Sequence, residues 1–135
     1  MLGNSIRELL VWPTSFEVTY YWQCLRSVDR DLMVFVHFTT PEGKIVFQQD
    51  HWPAQRHLPT MNWKVGDIIR ERYVVVAPEN AAPGHYQVRV GWYDPESGDR
   101  LPILSPGASD GEDRARVAEF EVRRAPRYGW FSVEE

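Results

Sequence analysis

The chain has 135 residues, and its 15 Lys and Arg against 19 Asp and Glu give a formal net charge of −4, which argues against a general binder of nucleic-acid backbones. Its length fits one domain with a real hydrophobic core, and its single cysteine excludes an intramolecular disulfide. Aromatic residues make up 13 %, and with ten Pro and nine Gly they favour many short strands over long helices.

Four segments alternate apolar and polar residues with a period of two, which predicts strands with one face on a core. In chain order these segments are 16–22, 32–38, 86–92 and 118–122. Weaker patterns predict four more strands, over 6–12, 44–50, 67–77 and 101–104. The second half of 67–77 is mostly apolar, which is typical of a strand covered on both faces, while Arg70, Glu71 and Arg72 are expected to guard its edge.

Turns rich in Pro, Gly and Asp separate these segments, and no long window has the periodicity of a helix. The sequence therefore predicts an all-β fold, an immunoglobulin-like antiparallel β-sandwich of about eight strands over residues 1–125. Tyr86, which opens a strand after Pro83 and Gly84, is typical of a tyrosine corner, in which the hydroxyl bonds a nearby backbone group. Trp22 and Trp92 fall on core-facing positions.

Residues 126–135 follow the last predicted strand as a tail whose apolar part, 128–131, is expected to pack on its own domain or on a second copy in a homodimer. The longest apolar run, Leu32 to Val36, is far shorter than the ~18 residues that span a bilayer, so no membrane span is expected. The start of the chain has no secretory pattern. The compartment stays open: cytoplasmic for a complete chain, extracytoplasmic for a fragment of a membrane-anchored parent.

A series of short motifs runs through most of the chain, from about Val18 to Val122. The motifs are Val34-Phe35-Val36-His37-Phe38, Pro41-Glu42-Gly43-Lys44, Gln49-Asp50, Pro59-Thr60, Trp63 with Gly66, Pro83-Gly84-His85-Tyr86, Gly91-Trp92-Tyr93-Asp94 and Gly98-Asp99-Arg100-Leu101. Their order and spacing resemble a bacterial β-sandwich domain on the extracytoplasmic side of membrane glycosyltransferases of the protein-mannosyltransferase type. The resemblance implies an accessory module, and it carries over no catalytic residues.

Candidate catalytic groups are sparse. Most carboxylates fall in turns or on outward strand positions, where solvation accounts for them. Asp50 closes a strand and is expected to hold the following loop, 51–66, by accepting its hydrogen bonds. His51 and His57 flank that loop, but no second metal-binding motif accompanies them. We therefore expect no enzyme, no cofactor and no metal; a hydrolase accessory with a site at Asp50, His51 and His57 is the weaker alternative.

The loop 51–66 and the adjoining turn from Tyr93 to Arg100 combine aromatic faces with hydrogen-bonding groups, which suits a ring-shaped, hydroxylated ligand. The candidate ligand-binding residues are His51, Trp52, Arg56, His57, Trp63, Tyr93, Asp94 and Arg100. Trp63 is expected to plug one end of the core, which leaves Trp52 free to contact a ligand. The sequence thus predicts a non-catalytic binding or interaction module, for carbohydrate or a neighbouring surface protein. The alternative is a structural spacer without a ligand.

Overall fold

The computed structural model describes residues 10–11, 15–78, 80–104 and 107–123, and in them the chain is all-β. The strands are β1 (Leu10–Val11), β2 (Ser15–Gln23), β3 (Met33–Thr39), β4 (Ile45–Gln48), β5 (Ile68–Val76), β6 (Gly84–Tyr93) and β7 (Ala115–Val122). The helical segments in the described residues are two short 3₁₀ turns, Pro53–Arg56 and Thr60–Asn62. The predicted all-β class is confirmed.

The strands form two sheets. The larger sheet has five strands in the order β1-β7-β6-β3-β4, and β2 pairs with β5 in the smaller one. Neighbouring strands are antiparallel, except that the two residues of β1 run parallel to β7. Side chains of alternate positions from the two sheets meet in one core, as the period of two in the sequence requires.

The four clearest alternating segments became β2, β3, β6 and β7, and three of the weaker ones contain β1, β4 and β5. The predicted strand over 101–104 is wrong. Leu101 still donates to the Trp92 carbonyl oxygen, but Pro102 has no N–H with which the ladder can continue. The described residues therefore hold seven strands rather than about eight.

The prediction that the second half of β5 is covered on both faces is also wrong. Val74 and Val76 are 61 % and 67 % exposed. They lie on the outer face of the two-stranded sheet, which no other strand of the described residues covers. Arg70 and Arg72 share this exposed row, whereas Glu71 points into the core and does not guard the edge.

Aromatic side chains fill much of the core. Trp22 and Trp92 are buried, as predicted, and their rings meet edge to face with centroids 4.9 Å apart. The Tyr86 hydroxyl donates to the carbonyl oxygen of Ala82, so the predicted bond of a tyrosine corner is present. Phe120 stacks on Tyr86 at 5.4 Å and joins β7 to this corner.

Part of the outer face of the larger sheet, along β3, is buried as well. Phe35 and His37 on β3 are 2 % and 4 % exposed, although simple alternation would turn them to solvent. Described residues of the connection 94–114 between β6 and β7, within 94–104 and 107–114, cover them: Arg100 lies over Phe35, and a Cβ added at Gly91 would lie 2.7 Å from the Asp113 carbonyl oxygen. Gly91 thus lets this connection approach the sheet.

The predicted tail 126–135, with its proposed docking, lies outside the described residues, as does most of the predicted strand 6–12. Within the described ranges, no helix combines the length and the apolar character needed to cross a bilayer.

Candidate functional site

The loop 51–66 and the turn after Tyr93 both contribute residues to one cleft. The residues that line this loop cleft, which has a volume of about 390 Å³, are Asp29, Arg30, Asp31, Trp52, Arg56, Met61, Asp94, Pro95 and Glu96. It brings together three of the predicted ligand-binding residues, namely Trp52, Arg56 and Asp94. Four carboxylates and two guanidinium groups surround the indole of Trp52, which makes the cleft rich in hydrogen-bonding groups.

A strained turn displays the aromatic part of the loop cleft. Ala54, Gln55 and Arg56 have φ angles of 52°, 53° and 69°, in the left-handed region that costs an ordinary residue about 1–2 kcal/mol. The turn brings the Arg56 guanidinium over the Trp52 ring, 4.5 Å from its centroid. Such strain persists where the surroundings fix the backbone, and it is common at functional sites.

Glu71 fixes this turn from inside the protein. Its Oε2 accepts a hydrogen bond of 2.7 Å from the Ala54 N–H, while Oε1 accepts from Trp22 Nε1 at 2.7 Å and from His51 Nε2 at 3.0 Å. The residue is 6 % exposed, so these three donors compensate the cost of burying its carboxylate. Glu71 therefore holds the loop in the way that was predicted for Asp50.

A second anchor acts on the Trp52 backbone. The Tyr73 hydroxyl donates to the Trp52 carbonyl oxygen at 3.2 Å. Burial, and then the charge of Glu71, raise the pKa of Tyr73 to about 12, so the hydroxyl keeps its proton and remains a donor. Both anchors come from β5, which makes this strand the rigid support of the loop.

The opposite wall of the loop cleft is held by Asp94. Its Oδ2 accepts from Arg30 Nη1 at 3.2 Å, and its Oδ1 accepts from the Glu96 N–H at 2.9 Å. The Arg30 carbonyl oxygen accepts from the Thr60 hydroxyl at 2.7 Å, and Thr60 Oγ1 accepts from the Leu32 N–H at 2.9 Å. This chain of bonds ties the loop to the segment before β3.

The remaining predicted site residues lie elsewhere. Trp63 is 2 % exposed, donates from Nε1 to the Leu58 carbonyl oxygen and packs on Trp92, which is the expected plug of the core. His51 is buried against Glu71, and His57 is exposed outside the loop cleft. Tyr93 and Arg100 belong to a different concavity on the outer face of the larger sheet.

That second concavity, the sheet-face pocket, has a volume of about 310 Å³. Its lining residues are Phe35, His37, Ile45, Gln48, Asp50, Tyr93, Gly98 and Arg100. Among these, His37, Gln48 and Asp50 complement the two predicted residues. Sequence reasoning missed His37 and placed Asp50 elsewhere because it treated the outer face of β3 as solvated.

The side chains of the alternative hydrolase site, Asp50, His51 and His57, make no hydrogen bonds to one another in the described part of the chain. Asp50 and His51 are consecutive, and their side chains diverge: Asp50 Oδ1 accepts from the Val36 N–H at 3.4 Å, while the His51 ring reaches Glu71. The expected hold of Asp50 on the loop 51–66 is therefore wrong. In the part of the chain that the structure describes, no three His, Cys, Asp or Glu side chains gather as a metal site.

Comparisons with known proteins add no family to this description. The sequence matches no protein-family model and no curated protein. The resemblance to glycosyltransferase accessory domains stays a prediction. The loop cleft and the sheet-face pocket are therefore interpreted from their geometry and chemistry alone.

Proposed function

We propose that the protein is a non-catalytic binding module that takes a carbohydrate into the loop cleft. The observation that carries this proposal is the Trp52–Arg56 pair, held on a strained but firmly anchored turn beside the carboxylates of Asp94 and Glu96. It is the place where the two segments predicted to bind a ligand come together.

The chemistry of the loop cleft suits a neutral sugar. Aromatic rings such as that of Trp52 make dispersion contacts with the apolar face of a sugar ring. Carboxylates around it, from Asp29, Asp31 and Glu96, accept hydrogen bonds from hydroxyl groups, and the guanidinium of Arg56 donates to ring or hydroxyl oxygens. A volume of about 390 Å³ falls within the range of small-ligand sites.

The anchors described above support binding energetically. Glu71 and Tyr73 fix the backbone of 52–54, and Arg30 fixes Asp94, so the walls of the loop cleft need little ordering when a ligand enters. Preorganisation of this kind improves affinity because less conformational entropy is lost on binding.

We also propose an immunoglobulin-like arrangement for the fold. The parallel pairing of β1 with β7, the strand order of the larger sheet and the Tyr86–Ala82 bond favour it. Such folds display loops on rigid sheets, which fits an accessory role beside a glycosyltransferase. A spacer without a ligand is the second candidate, favoured by the burial of His51 and Trp63.

The test is a glycan array with the full chain, followed by titration of any bound glycan against tryptophan fluorescence. We expect Trp52→Ala to weaken binding about tenfold or more, because the loss of the apolar area that the ring buries against a sugar exceeds the about 1.4 kcal/mol that a tenfold change requires. Tyr21→Ala is the matched control, since Tyr21 is an exposed aromatic on the smaller sheet. Absence of any glycan binding would favour the spacer, whereas equal binding by Trp52→Ala would show that the glycan does not bind in the loop cleft.

A further inference from the structure

The sheet-face pocket is a second candidate site that is independent of the loop cleft. The two concavities share no lining residue. The polar side chains of the sheet-face pocket come from β3, from the end of β4 and the residues just after it, from the end of β6, and from Arg100 after the following turn. A ligand there would contact the broad face of the larger sheet rather than the loops of the proposed carbohydrate site.

His37 presents a fixed hydrogen-bond donor in this pocket. Its Nδ1 lies 2.9 Å from Arg114 Nη1, and a guanidinium only donates, so Nδ1 accepts and the ring proton of the neutral histidine sits on Nε2. The described residues supply no hydrogen-bond partner for that N–H, and it is not sealed from solvent. A buried ring therefore offers a donor to whatever enters the pocket.

The groups behind His37 give it a positive surrounding. Arg114 Nε and Arg89 Nη1 donate to the same Asp110 Oδ2, at 2.8 and 2.7 Å, so two guanidinium groups share one carboxylate. Burial alone would raise the pKa of Asp110, but these bonds and that from the Glu112 N–H lower it to about 2. Burial, then the charges of Arg114 and Arg100, lower the pKa of His37 to about 4, and only Asp110 opposes them.

Arg100 supplies the second donor. Its guanidinium lies over the Phe35 ring, 4.5 Å from the centroid, and its Nη1 donates to the Glu112 carbonyl oxygen at 2.7 Å. The stack and this bond orient the guanidinium, and its other N–H groups stay available. Asp50 is the one carboxylate of the pocket lining, and its Oδ1 holds only the long bond from the Val36 N–H.

We propose that the sheet-face pocket binds a carboxylate with a neighbouring hydroxyl group, the chemistry shared by a uronic acid unit and a free hydroxy acid. The carboxylate lies against Arg100 and the His37 N–H, which both donate, and a guanidinium bonds a carboxylate more strongly than it bonds the hydroxyl oxygen of a neutral sugar. The hydroxyl donates to Asp50. The Asp50 carboxylate repels any anion in the pocket, and it repels a phosphate dianion about twice as strongly as a singly charged carboxylate, so the carboxylate is favoured.

Calorimetric titration of the full chain with three probes tests the proposal. Methyl glucuronide and gluconate carry the carboxylate on a ring and on an open chain, and methyl glucoside carries none. We expect both acids to bind more tightly than the glucoside, and Arg100→Ala to weaken them about tenfold or more. Tighter binding of the glucuronide assigns the site to a glycan, and tighter binding of gluconate assigns it to a free acid.

Arg72→Ala is the matched control, because Arg72 is an exposed arginine on the smaller sheet, and it should leave the affinities unchanged. Nuclear magnetic resonance of the histidine side chains gives a second readout: the acids should shift the His37 Nε2 resonance and leave His57 unmoved. Equal binding of glucuronide and glucoside, or full affinity in a folded Arg100→Ala protein, would overturn the proposal. Trp52→Ala should not change binding of the acids, so this result stands apart from that for the loop cleft.

Discussion

Among the individual side chains, the buried Glu71 carboxylate is the one on which the loop cleft most depends. Glu71→Gln is expected to reduce the free energy of unfolding by about 1–3 kcal/mol. The amide retains one acceptor oxygen, and its NH₂ group faces either the Ala54 N–H or the donors Trp22 Nε1 and His51 Nε2. At least one buried donor is thereby left without a partner. Urea unfolding followed by tryptophan fluorescence measures the change.

Glu17→Gln is the control for that substitution. The Glu17 side chain is 46 % exposed and its ion pair with Arg72 spans 3.6 Å, so its loss should change stability by no more than about 0.5 kcal/mol. Equal effects of the two substitutions would show that Glu71 does not anchor the loop.

The period of two placed Trp22 and Trp92 in the core, because it decides the direction of each side chain along a strand. The same period places Glu71 in the inward row of β5, but burial of a carboxylate depends on its partners. Those partners come from β2 and from residues 51–54, which no local pattern connects to β5. Most of the strands were therefore predictable from the sequence, and the anchor of the loop was not.

Of the structural elements, the turn 53–56 is the one with a strained backbone. Gln55→Gly is expected to leave the stability unchanged or raise it by up to about 1 kcal/mol. Gln55 is exposed and has φ 53°, a conformation that costs a non-glycine residue about 1–2 kcal/mol. Glycine avoids this strain, but it loses about 0.5–1 kcal/mol more conformational entropy when the chain folds. The midpoint of thermal unfolding reports the outcome.

Gln23→Gly provides the comparison, since Gln23 is an exposed glutamine in the extended strand β2. There glycine relieves no strain, and the substitution should cost about 0.5–1 kcal/mol. A loss of the same size at Gln55 would mean that the turn 53–56 is not strained.

The strands and the connections differ in how far the sequence predicts them. β2, β3, β6 and β7 follow from alternation alone. The burial of Phe35 and His37 does not, because their cover comes from the connection 94–114, which has no period and is positioned by side-chain pairs such as Arg89 with Asp110. For the same reason the sequence predicted a single binding surface, whereas the structure divides the predicted residues between the loop cleft and the sheet-face pocket.

For the molecule as a whole, the burial of His37 beneath the connection between β6 and β7 makes the stability depend on pH. Burial, then the charges of Arg114 and Arg100, lower the pKa of His37 from 6.5 to about 4 in the folded protein, with Asp110 acting in the opposite direction. Between these values His37 is protonated in the unfolded chain and neutral in the folded protein. The contribution of His37 to the free energy of unfolding is therefore complete above pH 6.5 and falls as the pH decreases toward 4. The loss from this group amounts to about 3 kcal/mol.

Asp110 extends the loss to lower pH. The bonds from Arg89, Glu112 and Arg114 outweigh the effect of burial and lower its pKa from 3.8 to about 2, so its contribution is present above 3.8 and disappears toward pH 2. The two groups therefore act in adjoining windows. Burial raises the pKa of Asp50, so the contribution of Asp50 to stability increases as the pH falls. Asp50 is unchanged in every variant compared and adds the same slope to each.

His37→Gln separates the two windows. The glutamine does not titrate, so we expect the decrease in the free energy of unfolding between pH 6.5 and 4 to disappear and only the opposite contribution of Asp50 to remain there, while the decrease below 3.8 that Asp110 causes is kept. Urea unfolding at a series of pH values measures both slopes. His57→Gln, at an exposed histidine, should keep the slope of the unsubstituted protein. If His37→Gln keeps that slope as well, Arg114 and the connection 94–114 do not hold His37 in its neutral form.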